Sequence, residues 1–253
     1  MKATRDFRVV ALVALAALVS ACGSDSSVGP ARQATDLGQV LAEMTLPSFV
    51  GALAPDLSSM PGLSAPTPAS CSYSGASQSF VCPPVTTSGL TMTRSFVLLN
   101  TAGNPQPQFD PATTAAVRTI SVTAGTISSA GSSLTVDGQQ ELTLSGLLTG
   151  VHVLNGTSVL NMRGTEAGTT DPLALSMTMT LANLVLPASR ADKWPKSGSI
   201  LIDLMDTFGS LPSLTTHIQI TFNGTSKVAV VISSDGFSAS CTMDLASQLP
   251  TCG

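Results

Sequence analysis

The chain has 253 residues, a formal net charge of −4 and a charged fraction of only 10%, well below the roughly 25% of ordinary soluble domains. This acidic balance excludes nucleic acid as a partner, because phosphate binding requires a clustered basic surface. Ser, Thr, Gly, Asn and Gln fill the polar positions instead, which is typical of secreted β-proteins, whose strands favour Thr over Lys and Glu.

The first residues have the order of an export signal. Lys2, Arg5 and Arg8 form a basic start, and the uncharged apolar run 9–19 is shorter than the about 20 residues of a membrane-spanning helix. The next residues, Val19-Ser20-Ala21-Cys22, resemble the bacterial lipobox, in which small residues precede an obligatory cysteine.

The lipobox resemblance implies a lipid anchor on Cys22. In that family a diacylglyceryl group is attached to the cysteine sulfur, the leader is removed, and the new amino terminus is acylated, commonly with palmitate. Residues 1–21 are then the signal peptide and residues 22–30 a flexible tether to the membrane. Gly23, in place of an Asp, implies sorting to the outer membrane, facing the periplasm or the cell surface. An ordinary signal peptide cut after Ala21, with Cys22 as a free thiol, is the alternative.

Four further cysteines form two pairs, each with ten intervening residues: Cys71 with Cys82, and Cys241 with Cys252. Disulfides persist in an oxidising compartment, and although four cysteines allow three connectivities, these two pairings are favoured because each closes its own hairpin. The alternative of structural zinc requires closer C-x₂₋₄-C pairs, so we predict no metal. Both pairs contain Ala-Ser-Gln at the same offset, which we place at the two turns.

A helical segment is predicted at about residues 35–54, ahead of the strands. Its apolar residues recur at i, i+3, i+4 and i+7, the spacing of one helix face. They are Leu37, Val40, Leu41 and Met44, and beyond Pro47 the similarly spaced Leu46, Phe49, Val50 and Leu53. We interpret both stripes as packing against a sheet rather than as a helix that binds a partner. A Pro/Ser-rich connector, 55–68, follows.

From residue 70 onward the chain alternates apolar and polar residues, which predicts antiparallel strands with one covered face. The segment 90–99 places Leu90, Met92, Phe96 and Leu98 on one face, with Arg94 as the interruption. We therefore predict a single mainly β domain over residues 31–253. Its expected architecture is a large antiparallel curved sheet or incomplete barrel, with the short N-terminal helical segment packed on it. A two-sheet sandwich is the alternative.

Hairpin turns are predicted at Asn-Gly and Asp-Gly pairs between alternating runs, the strongest short-range hairpin signal. These are Asn155-Gly156, Asn223-Gly224, the stretch 233–237 and, less clearly, Asp137-Gly138. Residues 100–114 and 182–197 are predicted to be the loops with the most freedom.

The C-terminal part of the chain contains WPKSGSILIDL, ITFNGTSKVAVVI and CTMDL followed by a final cysteine. This run resembles a family of envelope lipoproteins from environmental bacteria. The resemblance brings no assigned activity with it.

No constellation of residues indicates catalysis. His152 and His217 lie in strand patterns without a Cys or His at ligand spacing, although their positions before Asn-Gly pairs make a metal pair conceivable. Asp203 and Asp206 resemble a carboxylate pair, but their odd spacing places them on opposite faces of a strand. Trp194 either plugs the end of the sheet or contacts a sugar or lipid headgroup. We predict no catalytic, cofactor or metal residue.

The sequence therefore predicts a membrane-anchored envelope lipoprotein that is not an enzyme. Its most favoured role is a structural or interaction module that contacts another envelope protein. The alternative is a carrier or binder of a lipid or other apolar ligand between helix and sheet, since methionine adapts to varied apolar partners. The residues that motivate the carrier are Met92, Met162, Met177, Met179 and Met205.

Overall fold

The computed structural model describes residues 71–87, 89–129, 132–165, 172–187, 194–208, 213–234, 236–247 and 249–252. The predicted signal peptide, Cys22, the tether and the helical segment at 35–54 lie outside the described residues. The described part forms strands β1 Ser72–Ser74, β2 Ser79–Thr87, β3 Leu90–Asn100, β4 Pro105–Gln106, β5 Thr114–Ser129, β6 Ser132–Ser145, β7 Val153–Thr165, β8 Pro172–Val185, β9 Ser197–Phe208, β10 Leu214–Phe222, β11 Lys227–Ser234, β12 Phe237–Asp244 and β13 Leu249–Cys252.

These strands form one antiparallel sheet in which spatial order follows chain order. Only β4 lies off this path, as a short pair with β3. Within the described ranges no pairing joins β1 to β13, so the sheet is open. The prediction of a mainly β protein with a large antiparallel sheet is confirmed. The two-sheet sandwich is wrong, because the backbone ladder runs without a break from the first strand to the last.

One face of the sheet, which we call the inner face, carries the hydrophobic core. The alternation is clearest in β10, where Ile218, Ile220 and Phe222 are buried while His217 and Gln219 are exposed. Successive strand residues point to opposite faces, so the register assigns every side chain to a face. The buried inner-face side chains include Phe96, Leu98, Val117, Leu142, Leu144, Leu154, Leu181, Leu184, Ile200, Ile202, Ile218, Ile220, Phe222, Val228, Val230, Ile232, Cys241 and Met243.

An aromatic ladder crosses the first strands on the inner face. Phe80 and Phe96 are directly opposite each other in β2 and β3, and their stacked rings have centroids 4.7 Å apart. Tyr73 meets Phe80 edge to face with a centroid distance of 5.2 Å. Offset-stacked and edge-to-face pairs are the favoured aromatic geometries, so this ladder fixes β1 and β2 to the sheet.

The structure contains both disulfides predicted from the cysteine spacing. Cys71–Cys82 joins the start of β1 to β2, and Cys241–Cys252 joins β12 to β13, with Cα–Cα distances of 4.1 and 4.0 Å. Each therefore attaches an edge strand to its neighbour. The first Ala-Ser-Gln ends the turn between β1 and β2, with Gln78 at φ 50°, and Ala246 and Ser247 lie in the turn between β12 and β13.

Both sheet edges are short and contain proline. Strand β1 has three residues and covers only the beginning of β2, whose remaining edge contains Pro83 and Pro84 at an irregularity between Cys82 and Val85. Strand β13 has four residues and includes Pro250. Proline lacks a ladder donor and a short edge offers few free amides, so both features oppose pairing with another sheet.

Two of the predicted turns are confirmed and two are wrong. Asn223-Gly224 connects β10 to β11, and Ser234 pairs with Phe237 across the turn between β11 and β12. In contrast, Asn155-Gly156 lies inside β7 and Asp137-Gly138 inside β6. In these two places the backbone pairing between β6 and β7 continues through the Asp-Gly or Asn-Gly residues. A Cβ on Gly156 would lie 2.1 Å from the Glu141 carbonyl oxygen, so this glycine permits close approach of two strands.

Asn155 stabilises a bulge in the neighbouring strand. In β8 the residues Ala182 and Asn183 together oppose Asn155, and Asn183 has φ 50°. The Asn183 backbone amide donates a hydrogen bond of 2.7 Å to the Asn155 Oδ1. Asn tolerates the left-handed conformation better than most residues. Asn183 therefore adopts the conformation that the extra residue of β8 requires, and its hydrogen bond to Asn155 stabilises the bulge.

The predicted loops have more structure than expected. Within 100–114, the Asn100 Oδ1 accepts hydrogen bonds of 2.9 Å from the backbone amides of Ala102 and Asn104, and strand β4 forms. Asp110 accepts from Ala112 and Thr113 in the same segment. In the second loop, 182–185 belong to β8 and 197 to β9. Side-chain hydrogen bonds to nearby backbone, which alternation cannot reveal, order the first of these segments.

We expect each disulfide to contribute about 3 kcal/mol to the free energy of unfolding, because each closes a loop of similar length. Replacing Cys241 and Cys252 together by Ala, or Cys71 and Cys82 together, tests this by urea unfolding. The parent chain under reducing conditions is the control. A loss below about 1 kcal/mol in both double variants would contradict the prediction.

Asn155→Ala is expected to lower the free energy of unfolding by about 1 kcal/mol, because it removes the acceptor of the Asn183 amide. Asn183→Gly is the matched control: glycine adopts positive φ without strain, so this variant should cost less than Asn183→Ala. Denaturant unfolding checks both. Equal losses for Asn183→Gly and Asn183→Ala would contradict the proposed bulge geometry.

Candidate functional site

The inner face contains one row of polar side chains between apolar rows. Register pairs connect Arg94 of β3 to Ser121 of β5, Ser121 to Gln140 of β6, and Gln140 to Ser158 of β7. We call these four residues the polar row; all are partly buried. Beyond Ser158 the same row becomes apolar with Met179, so the polarity is confined to β3–β7.

Arg94 supplies the only charge of the polar row. Its side chain is partly buried, and its Nη2 lies 4.0 Å from the Met92 Sδ. The ion pairs within the described part of the chain do not include Arg94. A charged group taken from water into apolar surroundings is costly unless it is paired. Arg94 is therefore a cation on the inner face without a protein counter-charge among the described residues.

A second set of inner-face residues, which we call the open rows, lies toward the opposite end of the strands from most buried core side chains, and its member Met177 packs against the core. Its members are Met92, Leu160, Met162, Leu175, Met177 and Leu204, and all are only partly buried. Within the row that starts at Met92, the residues between Met92 and Leu160 are Thr123 and Gly138. The open rows thus combine flexible apolar side chains with the smaller Thr123 and Gly138, and the Leu160 side chain lies over Gly138.

Asp206 of β9 lies at the end of an open row, opposite Leu175 on one side and Leu214 on the other. Burial raises the pKa of its carboxyl, an effect that hydrogen bonds from the backbone amides of Asp206 and Leu214 partly offset. Loss of solvation disfavours the charged form of an acid. Among the described residues, the inner face of the strands therefore carries one cation, Arg94, and one carboxyl with a raised pKa, Asp206, at separate positions.

The outer face brings Asp203 and His217 together. They are direct partners in β9 and β10, and the Asp203 Oδ1 lies 2.6 Å from the His217 Nδ1. Both side chains are about half exposed. Asp203 and Asp206 lie on opposite faces of β9, as their spacing predicts. An exposed pair of this kind contributes little to stability, because water screens it.

Ser233 lies opposite His217 in β11, so Asp203, His217 and Ser233 follow one another across three strands. Among the hydrogen bonds of the described residues none joins Ser233 to His217. Nucleophile activation requires that hydrogen bond, and an oxyanion hole requires free backbone amides. The backbone amides next to Ser233 lie in strands that are paired on both sides. Asp203, His217 and Ser233 therefore do not form a catalytic triad, although their residue types and order resemble one.

The remaining candidates do not converge on this pair. The His152 backbone oxygen accepts from Leu186 next to β7, and two strands lie between β7 and β10. In the described ranges no group of three His, Cys, Asp or Glu side chains is placed to hold a metal ion. Trp194 is partly buried against the main hydrophobic core, which fits the interpretation that it plugs the end of the sheet.

An open groove of about 390 Å³ lies near the turn that follows β6. Its lining consists of apolar residues such as Leu99, Ala116 and Leu148 together with uncharged polar residues. A small-molecule site normally combines an enclosed apolar pocket with a few convergent polar groups. This groove has no charged group to orient a ligand, so the inner face remains the better candidate.

The chain matches no protein-family model, no curated protein and no solved structure. No helix within the described residues has the length and hydropathy needed to cross a membrane. The functional interpretation therefore depends on the residues themselves.

Sequence reasoning did not identify the polar row as a site. Arg94 stands out in the sequence only as a break in the alternation of β3, and Ser121, Gln140 and Ser158 are unremarkable polar residues. Their common feature is a register that spans four strands, which a single sequence does not reveal. The available sequence signal for this site was Arg94, a charged residue at a position of β3 where the alternation predicts an apolar one.

The raised pKa of Asp206 makes stability depend on pH in a defined direction. As pH rises, the unfolded chain loses this proton before the folded chain, so Asp206 lowers the free energy of unfolding above the ordinary carboxyl range. Asp206→Asn should therefore be more stable than the parent at neutral pH, and the difference should shrink in acid. Urea unfolding across pH measures it. Asp203→Asn is the control on the outer face, and a pH-independent difference for Asp206→Asn would contradict the prediction.

Proposed function

We propose that this protein is a lipid-anchored lipoprotein of the bacterial cell envelope that acts as a non-enzymatic structural or interaction module. Cys22 is the lipidation site, residues 1–21 the signal peptide and residues 22–30 the tether. The two disulfides at the sheet edges carry the export part of this proposal, since disulfides persist in oxidising compartments. The lipobox supports the anchor and the outer-membrane location.

The outer face supports an interaction role. It is composed largely of Ser, Thr, Asn and Gln, with exposed apolar side chains interspersed: Val122, Val159, Leu201, Met205 and Val231. Aromatic residues are scarce there, which does not favour binding of sugars. Such a mixed surface, displayed from a membrane anchor, suits contact with a second envelope protein. The predicted helical segment at 35–54 is proposed to pack on the inner face of the sheet.

The second candidate function is a carrier of a lipid or other apolar ligand held between that segment and the sheet. The open rows favour it, because six partly buried Met and Leu side chains lie together on one face. Methionine is flexible and polarizable, so it accommodates irregular apolar partners. The carrier and the interaction module differ in what covers this face.

Cys22→Ser tests the anchor. In bacteria given an alkyne analogue of palmitate, we expect the parent chain to be labelled and to sediment with the membranes, and the variant to be unlabelled. Buried acyl carbons supply about 0.8 kcal/mol each, so loss of the lipid should release the mature protein. The double variant Cys71→Ala/Cys82→Ala is the control, since it changes cysteines without touching the lipobox. Equal labelling of Cys22→Ser and the parent would overturn the anchor.

A further inference from the structure

We propose that the polar row and the open rows form a binding site for a fatty-acid-type amphiphile, with the carboxylate held at Arg94 and the acyl chain lying on the open rows. This inference rests on the carrier as the second candidate function and does not depend on the lipid anchor. It assigns a ligand class and a headgroup position to the inner face.

The headgroup position follows from the charge of Arg94. In the register of the inner face Arg94 lies between Cys82 of β2 and Ser121 of β5, and it has no ion pair among the described residues. Arginine binds carboxylates through two parallel hydrogen bonds, which are stronger than neutral ones. Ser121 and Gln140 follow in the same row. The Ser121 Oγ donates a long hydrogen bond of 3.5 Å to the Gln140 Oε1, which leaves the Gln140 Nε2 as a donor for the headgroup.

The single positive charge of the polar row favours a carboxylate over a phosphate headgroup. A fatty-acid carboxylate carries one negative charge, which the single cation of the polar row neutralises. A phosphate monoester carries nearly two, and the polar row has no second cation to neutralise the excess. The site thus matches a monoanion better than a dianion. Arg118 shows the contrast, since this outer-face arginine is already paired with Glu141 at 3.7 Å.

The path of the acyl chain follows from the small residues beside Arg94. From Met92 the next row passes Thr123 and Gly138 and reaches Leu160 and Met177. Five strands at a spacing of about 4.8 Å give a path of roughly 19 Å, which an extended long acyl chain spans. Met and Leu at both ends supply apolar contacts, and the side chain over Gly138 is that of Leu160, whose Cδ1 lies 3.4 Å from where a Cβ would stand.

The experiment uses the chain with residues 1–21 replaced by a cleavable export signal and with Cys22→Ser, so that no attached lipid competes. The probes are a fluorescent fatty acid and its methyl ester, which differ only in the headgroup charge. We expect the acid to bind more tightly than the ester. Arg94→Gln should weaken acid binding about 10-fold to 100-fold, the usual effect of a charge-assisted hydrogen bond, and should leave the ester unchanged.

Matched variants keep the result interpretable. Arg94→Lys retains the positive charge but lacks the planar guanidinium that binds a carboxylate through two hydrogen bonds. It should therefore bind the acid more tightly than Arg94→Gln does and less tightly than the parent. Arg118→Gln removes an arginine from the outer face and should change neither probe. Unchanged ester binding in Arg94→Gln shows that the apolar face is still formed, so a loss restricted to the acid is not a folding defect.

Three results would overturn the inference: equal binding of acid and ester by the parent, equal loss in Arg94→Gln and Arg118→Gln, or no binding of the acid. Binding that occurs only after Glu43→Gln would also overturn it, by assigning Arg94 to the chain's own segment at 35–54, which carries that carboxylate. Failure of palmitate labelling at Cys22 leaves the acid–ester difference unaffected, so the two proposals fail separately.

Discussion

The antiparallel backbone hydrogen bonds that hold the twelve strands of the main sheet path in register determine which side chains of this protein meet. A slip of one residue in any pair would move the buried set of that strand to the opposite face. The bulge in β8 shows how the register is kept. Leu181 and Leu184 are three residues apart, a spacing that would place them on opposite faces of a regular strand, yet both are buried. The bulge restores the alternation, and the hydrogen bond between Asn155 and Asn183 stabilises it. The register of the core in β7 and β8 thus depends on a hydrogen bond between two asparagines.

An open sheet leaves two edges with unpaired amides, which in many proteins invite edge-to-edge association. Here the same solution occurs twice. A strand of three or four residues is attached to its neighbour by a disulfide between opposite positions, and prolines lie along the edge. Because charged side chains are scarce in this chain, covalent links and proline take the place of lysine as protection.

The inner face is divided along the strands. At one end most side chains are buried and form the core, while at the other the open-row side chains are only partly buried, with Val136 beside them as a buried exception. The polar row lies between them on β3–β7. A core needs no arginine at that position, because burying an unpaired cation costs free energy. This contrast is the physical reason for placing a ligand headgroup there, in a protein that we propose to be held at the membrane through Cys22.

The sequence by itself determined the strand class and the cysteine pairing. Strict alternation in segments such as 173–181 requires a sheet with one covered face, and equal spacing within the two cysteine pairs favours local closure. It also placed Asp203 and Asp206 on opposite faces, since that depends only on neighbours in one strand. These are local properties, and local properties are readable from a single chain.

Only the tertiary structure decided which Asn-Gly and Asp-Gly pairs are turns, and which polar residues share a row. Asn223-Gly224 and Asn155-Gly156 have the same local sequence, yet the second continues through β7 because both neighbouring strands pair on either side of it. Likewise, Arg94, Ser121, Gln140 and Ser158 become neighbours only through the register of four strands. Pairing between strands depends on long-range hydrogen bonds, and these are not encoded in any one segment.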